Sequence, residues 1–416
     1  QMRKEKVIAF VTDVGGPTSH TAIMARSLEI PAVVGLQDIT AHVQSGDRLI
    51  VDGVEGIVIV NPSESVLRKY QTKQQEAKGK LADLVHLRDL EAETLDGFKV
   101  SLGANIEMQD EVDAAVRYGA EGVGLFRTEF LFLNQVNLPG EEQQFEAYRK
   151  VAEVAAPHPV VIRTLDVGGD KFVSSPEFPT GMGDSLGCRA IRFSLTHPDL
   201  FRTQLRAILR ASAYGNVRIM YPMITSVEEV LRSNEMLREC MDTLRTEGMP
   251  FNEDIEIGTM IEVPSAALMA DHLAQEADFF SIGTNDLIQY TLAVERTNQD
   301  MAYLYDPLHP AILRFIHHTV QTAHEAGIPV GVCGEMAGEP AVIPLLLGLG
   351  VDSLSMSPIS IPMAKKIIRE LELSPLRKWV QGILNLPTGQ EVRNQIKAYE
   401  LEFAKKDSKP KSHVKH

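Results

Sequence analysis

Cysteine is scarce in this chain: the three present, Cys188, Cys240 and Cys333, stand far apart. They lack the paired spacing of a disulfide framework or a zinc site, and a reducing cytosol is the natural setting. Positive charge is also in short supply, with 41 Lys and Arg against 56 Asp and Glu, a formal charge of −15 and a pI near 5.3. A sequence-independent nucleic-acid binder needs a basic face to displace counterions, so that class is excluded. Any phosphate chemistry must rest on a few well-placed arginines. Long hydrophobic runs are missing as well. The most apolar segment, from Ile343 to Val351, is too short to span a bilayer, and no charged start, apolar run and small-residue cleavage site occurs near the beginning. Neither secretion nor membrane insertion is expected.

What is present suits a soluble globular protein, since 416 residues with 44% hydrophobic content can fill one barrel-sized core and a smaller companion. An apolar run, Val7 to Val11, comes almost at once after Gln1, and the chain is read as part of a longer protein. Residues 1–62 show a strand, a Gly-rich turn, a helix, a short strand at Ala32–Val34, and a hairpin of Leu49–Val51 with Ile57–Val60. Residues 63–95 are rich in helix formers, open on a Ser able to cap the first turn, and are expected to form a helical linker.

Over residues 96–404, apolar strands alternate with helical patterns: Val100–Ile106, Gly122–Thr128, Val160–Val167, Val217–Ile224, Ile255–Val263, Phe279–Asp286, Pro329–Met336 and Ser353–Ser357. Eight strands with helices between them predict an α/β fold, a (β/α)8 TIM barrel. A doubly wound open sheet shares the alternation. The barrel is favoured because polar residues gather at the C-terminal ends of the strands, where barrel sites are built. Residues 405–416 are Lys-rich and polar and are expected to be a disordered tail.

Two regions carry chemistry. In Thr12-Asp13-Val14-Gly15-Gly16-Pro17-Thr18-Ser19-His20, a Gly pair and two hydroxyl residues precede a helical run. A helix N-terminus offers free N–H donors and the positive end of the macrodipole, so His20 would sit where a phosphate is stabilised. Neutral imidazole is a competent nucleophile. The plainer alternative is that Ser19 or Thr18 only caps the helix.

At the expected barrel mouth, Arg127 and Arg163 end neighbouring strands and could fork onto phosphate oxygens, or pair with Glu129 and Asp166. Glu262 and Asp286 form a hard-oxygen pair suited to Mg2+, or else hydrogen-bond to loop backbone. Cys333 is either a small core residue or, if it faces substrate, a thiol able to protonate an enolate carbon.

The block Gly15-Gly16-Pro17-Thr18-Ser19-His20-Thr21-Ala22-Ile23-Met24-Ala25-Arg26, continuing to Gly35, resembles the phosphohistidine signature of the enzyme I family of the bacterial phosphoenolpyruvate:sugar phosphotransferase system. The barrel-mouth blocks, Ser185–Arg192, Tyr290–Arg296 and Tyr305–Pro310 are similar to that family too, in the expected order along nearly the whole chain. Pro17 stands where the family commonly has Arg, and Cys188 where it often has an aromatic residue.

The resemblance implies that His20 is the phosphorylated residue and that Glu262 and Asp286 hold Mg2+. It also implies that Arg127, Arg163, Arg189 and Arg296 bind phosphate, Asn285 contacts phosphoenolpyruvate, and Cys333 protonates enolpyruvate to pyruvate. It further implies a homodimer through the barrel and onward transfer to a histidine of the carrier protein HPr. The HPr-docking domain of the family precedes the matched region, so transfer to HPr by this chain is expected to be poor. A hinge at the helical linker would let the His20 body swing. A phosphoenolpyruvate synthase or pyruvate phosphate dikinase, a Mg2+-dependent aldolase and a non-catalytic phosphoenolpyruvate sensor are the competing expectations.

Overall fold

The computed structural model describes residues 7–15, 25, 30–132, 138–167, 186–295 and 299–407. Near the N-terminus, β1 (Phe10–Val11) pairs in parallel with β2 (Ala32–Val33), and β3 (Leu49–Asp52) pairs antiparallel with β4 (Ile57–Val60). Asp13, just after β1, accepts hydrogen bonds from the Thr40 backbone N–H and hydroxyl, which tie that turn to the short helix Ile39–His42.

A long helix, Glu64–Val85, follows the hairpin. Lys73 on it reaches Asp52 and Glu55, joining helix to hairpin. Ser63 occupies the N-cap position but makes no side-chain cap, its hydroxyl lying 3.0 Å from that of Ser65 instead.

Eight parallel strands then close into a barrel: β5 (Ser101–Ile106), β6 (Val123–Arg127), β7 (Val160–Arg163), β8 (Val217–Tyr221), β9 (Ile257–Ile261), β10 (Phe279–Ile282), β11 (Val330–Val332) and β12 (Ser353–Met356). Pairing of β12 with β5 completes the ring, so the open-sheet alternative is excluded. Strand alternation sends Ile106, Phe126, Ile162, Ile219, Ile261 and Leu354 outward against the helices. Leu125, Val161, Met220, Met260, Phe279 and Cys333 form a separate buried cluster on the other faces, filling the barrel. Each such side chain contributes roughly 1.5–3 kcal/mol on full burial, and that sum outweighs any one polar contact.

Several strands are shorter than their apolar runs. β10 stops at Ile282, and Thr284–Leu292 is helical, so Asn285 and Asp286 lie in the first turn of a helix rather than at a strand end. β11 likewise stops at Val332, and Glu335–Gly338 forms a 3-10 turn. Apolar content persists past each strand because these turns pack against the same core, which periodicity alone does not distinguish from strand.

The last helix runs from Gly389 to Asp407, and the rest of the Lys-rich segment, 408–416, lies outside the described residues. Val392 and Ile396 bury one face of that helix, and Tyr399 stacks on Trp379 at 4.7 Å, so the helix is seated well before the Lys-rich stretch. Among the described residues no helix is long and apolar enough to cross a membrane.

Polar contacts bind the segment before β5 to the far end of the barrel sequence, among them those of Lys365 and Asp96. Lys365, 1% exposed, donates to the carbonyls of Arg88 and Gly119 at 2.9 and 3.2 Å. Asp96 accepts from the Leu373 and Ser374 N–H groups at 2.9 and 3.1 Å and so caps helix Leu373–Ile383 from outside it. Those bonds, led by Leu373, together with one at 2.7 Å from the Thr94 hydroxyl, hold the Asp96 carboxyl at about 2, below its ordinary 3.8. Asp96→Ala should therefore destabilise the fold by about 0.5–1 kcal/mol at pH 7, the low end for a cap because the group is solvent-screened. A depressed folded value means that this stabilisation is present above pH 4 and is lost as pH falls toward 2. Urea unfolding of both proteins across that range should show the two curves converging.

Candidate functional site

The C-terminal ends of the barrel strands gather the charged side chains. Arg127, the last residue of β6, donates to Glu107 beyond the end of β5 at 2.8 Å. Burial raises the Glu107 carboxyl, and the neighbouring Arg127 charge works against that rise. Arg163, the last residue of β7, is nearly buried and pairs with Glu129 and, at 2.8 Å, with Asp166. Desolvation pulls its pKa down, but Asp166, Glu129 and Glu262 more than offset it, leaving the guanidinium firmly charged.

Behind Arg163 lies a neutral buried network. Thr128 donates to the Arg163 carbonyl at 2.9 Å, and Gln204 donates to Thr128 at 3.2 Å while accepting from Leu165 N–H at 2.8 Å. The loop carrying Asp166 is thereby fixed from below.

Arg189 is the bridge across the mouth. It grips Asp166 with two bonds, at 2.9 and 3.1 Å, and Asp286 with two more, at 3.1 and 3.2 Å, and also donates to the Tyr290 hydroxyl at 3.0 Å. The next residue, Ala190, has φ 54° and ψ −122°, a strained backbone for a residue with a Cβ. That strain sits at the turn that presents Arg189.

Glu262 follows β9 and is 1% exposed, accepting the Met223 N–H at 2.6 Å. Met223 adopts φ 56°, again left-handed, and thereby turns its N–H to the carboxylate. Burial, then repulsion from Asp286 and Asp166, pushes the Glu262 carboxyl well up, with Arg163 and Arg189 opposing. Gly283 explains how Glu262 fits: a Cβ there would come within 2.7 Å of its Oε2.

Cys333, just past β11, is buried with its Sγ donating to the Ile282 carbonyl at 3.7 Å. Burial pushes the thiol pKa up, so it stays protonated near neutrality and is an acid rather than a thiolate. Asn285 accepts from Glu335 N–H at 3.2 Å through its side chain, and its carbonyl accepts the Tyr305 hydroxyl at 3.3 Å. A cavity of about 270 Å³ opens beside these groups, lined among others by Asn105, Glu107, Arg127, Gly334 and Glu335.

Of the residues singled out from sequence, Arg163, Arg189, Glu262 and Asp286 thus converge, with Arg127 and Cys333 at neighbouring strand ends and Asn285 in the helical turn after β10. His20 and Arg296 lie outside the described residues. The ion-pair alternative raised for Arg127 and Arg163 holds in this structure, with Glu107 added as a partner that sequence reading missed. Its position two residues after Asn105, at the end of a barrel strand, was the same signal used for the other sites. Tyr290 was legible too, four residues after Asp286 and so on the same helix face.

Among the described residues three guanidinium groups face five carboxylates, Glu107, Glu129, Asp166, Glu262 and Asp286. A divalent cation would offset that excess of negative charge, and the hard oxygens of Glu262 and Asp286 suit Mg2+. Among the described residues no group of three or more His, Cys, Asp or Glu side chains is placed to hold a metal ion. A Mg2+ site with two protein carboxylates and the remaining positions left to water or substrate fits that donor set.

Residues 82–373 match the family described as PEP-utilising enzyme, PEP-binding domain, and residues 1–56 match PEP-utilising enzyme, mobile domain. A protein named Phosphoenolpyruvate-protein phosphotransferase from Bacillus sp. (strain S) is 49% identical over 95% of this chain and 69% of its own length. One of the same name from Geobacillus stearothermophilus is also 49% identical over those shares. Another from Staphylococcus carnosus (strain TM300) is 47% identical over 96% of this chain and 70% of its own.

The pairing of Arg163 has a measurable consequence. Arg163→Met should cost about 3–5 kcal/mol in denaturant unfolding, because it leaves Glu129 and Asp166 buried without their cation. Arg127→Met, at a more exposed pair, should cost clearly less.

Proposed function

This chain belongs to the PEP-utilising enzymes, and within that family we propose that it takes the phosphoryl group of phosphoenolpyruvate onto its own His20 and releases pyruvate. It is a phosphoenolpyruvate-dependent phosphotransferase like its relatives. The observation that carries the residue-level reading is the convergence of Arg163, Arg189, Glu262 and Asp286 at the barrel mouth, next to a buried, protonated Cys333.

Phosphoryl transfer requires positioning and charge stabilisation more than covalent help. Arg127, Arg163 and Arg189 exchange carboxylate partners for the phosphate and carboxylate oxygens of the substrate. Glu262 and Asp286 hold Mg2+, which when bound neutralises charge on the substrate oxygens. An imidazole nitrogen of His20 attacks phosphorus in line: the N–P bond forms as the bridging P–O bond breaks, and its electron pair leaves on the enolate oxygen. Cys333 then gives its thiol proton to C3. The C2–C3 π electrons form the new C–H bond, the oxygen lone pair closes the ketone, and water restores the thiol. Ketonisation makes the step hard to reverse.

His20 belongs to the segment that matches a mobile domain, which supports a swing toward the barrel to collect phosphate and away to deliver it. On this reading the phosphoryl group passes onward to a histidine of an HPr-type carrier, and two copies associate through the barrel in the cytoplasm.

With phosphoenolpyruvate and Mg2+, acid-labile phosphate should appear on His20 by mass spectrometry, together with pyruvate. His20→Ala should abolish the label, and Glu262→Ala should cut it by roughly two orders of magnitude, the scale on which loss of a charge-stabilising group acts. Label on another residue, or undiminished label in Glu262→Ala, would overturn the assignment.

A further inference from the structure

The Cys333 loop is held from β5, two strands along the barrel from β11, by a residue that the mechanism above does not use. Asn105, on β5, donates through Nδ2 to the Cys333 carbonyl at 3.0 Å. Its Oδ1 accepts the Ser355 hydroxyl of β12 at 2.6 Å. On the other flank, the Cys333 N–H donates to the Ile282 carbonyl of β10 at 3.2 Å. Both peptide planes that meet at the Cys333 Cα are therefore pinned, and the direction of its Cα–Cβ bond follows from them.

Space for this arrangement is reserved in the sheet. A Cβ on Gly124 would come within 2.4 Å of the Ser355 hydroxyl, so β6 leaves a side-chain position empty where Ser355 must stand. A Cβ on Gly103 would meet the Gly124 backbone at 2.8 Å and the same hydroxyl at 3.3 Å, so β5 is bare there too. The register shift between Ala104 and Asn105 re-aims β5 at the same level. Ser355 also orients the Asn105 amide: with its carbonyl oxygen occupied by a hydroxyl donor, the NH2 group faces Cys333. Asn105 lines the cavity that Arg127 and Gly334, the residue after Cys333, also border.

We propose that Asn105, oriented by Ser355, is the positioning residue that aims the Cys333 thiol at one face of the enolate. The proposal rests on Cys333 being the proton donor. Phosphoryl transfer itself makes no demand on this pair, so its loss should appear in protonation of C3 and not in binding of phosphoenolpyruvate. Without an aimed thiol, enolpyruvate leaves unprotonated and ketonises in solution, taking a proton from water on either face.

The test is single turnover of phosphoenolpyruvate stereospecifically labelled with deuterium and tritium at C3, with Mg2+, followed by analysis of the chiral methyl group of pyruvate. The native chain should give one methyl configuration. Asn105→Ala should give a largely racemic methyl group, with pyruvate formation slowed on the order of 10²-fold and affinity for phosphoenolpyruvate within twofold of native. Ser355→Ala removes only a hydroxyl and is the safer variant for folding; it should move in the same direction by a smaller factor. Single-face protonation at the native rate in both variants would overturn the proposal. So would a parallel fall in affinity and unfolding midpoint with the stereochemistry intact, since that marks a structural role alone. Cys333→Ala separates the premise from the inference: a single configuration from it rejects Cys333 as donor. A racemic product from Cys333→Ala beside a single configuration from Asn105→Ala rejects only the clamp.

Discussion

Closure of the barrel by the parallel pairing of Ser353–Met356 with Ser101–Ile106 is the constraint on which the rest depends. It brings Asn105 to Ser355 across 250 residues of chain and to Cys333 across 228. It also sets the strand ends in a ring, so that Arg127, Arg163, Glu262 and Cys333 face a shared space although their strands are scattered through the sequence. The large outer core carries the energy of this closure. The lumen side chains, Met260 and Phe279 among them, fill the interior below the mouth.

A charge network tops that scaffold, and its cost accounts for the local strain. Burying Glu262 beside Asp286 is unfavourable, as the raised carboxyl pKa records. The protein holds the group in place with a left-handed Met223 and a glycine at 283, and presents Arg189 through a strained Ala190. Strain of order 1–3 kcal/mol per such residue is tolerable only where the surrounding packing over-determines the backbone, as it does at strand ends wedged between core and helices. On the proposed mechanism the guanidinium groups would hold the carboxylates until a substrate anion and a cation rearrange the pairs, so that stability and function would draw on the same side chains.

Much of this was legible beforehand, though unevenly. Eight apolar runs at helical intervals announced eight strands, and the arginines and carboxylates stood out because polar residues at the ends of apolar runs are exceptional. Glu107 and Tyr290 carried the same signals and were passed over. The helical start of Asn285 and Asp286 was obscured because Leu287 and Ile288 continue the apolar run, and a buried helix turn reads like strand at that length. The seating of the last helix on its neighbour rests on Trp379 meeting Tyr399, a pairing that composition does not reveal.

By itself the sequence determined the alternation of strands and helices, the shortage of positive charge that makes each arginine count, and the chemical kinds of group available: imidazole, guanidinium, carboxylate and thiol. These follow from local pattern and side-chain chemistry. Only the tertiary structure decided that the sheet closes, which carboxylate each arginine holds, and that Cys333 is buried enough to keep its proton. Those properties arise from distances between residues far apart in the chain, and from the low dielectric that packing creates around them.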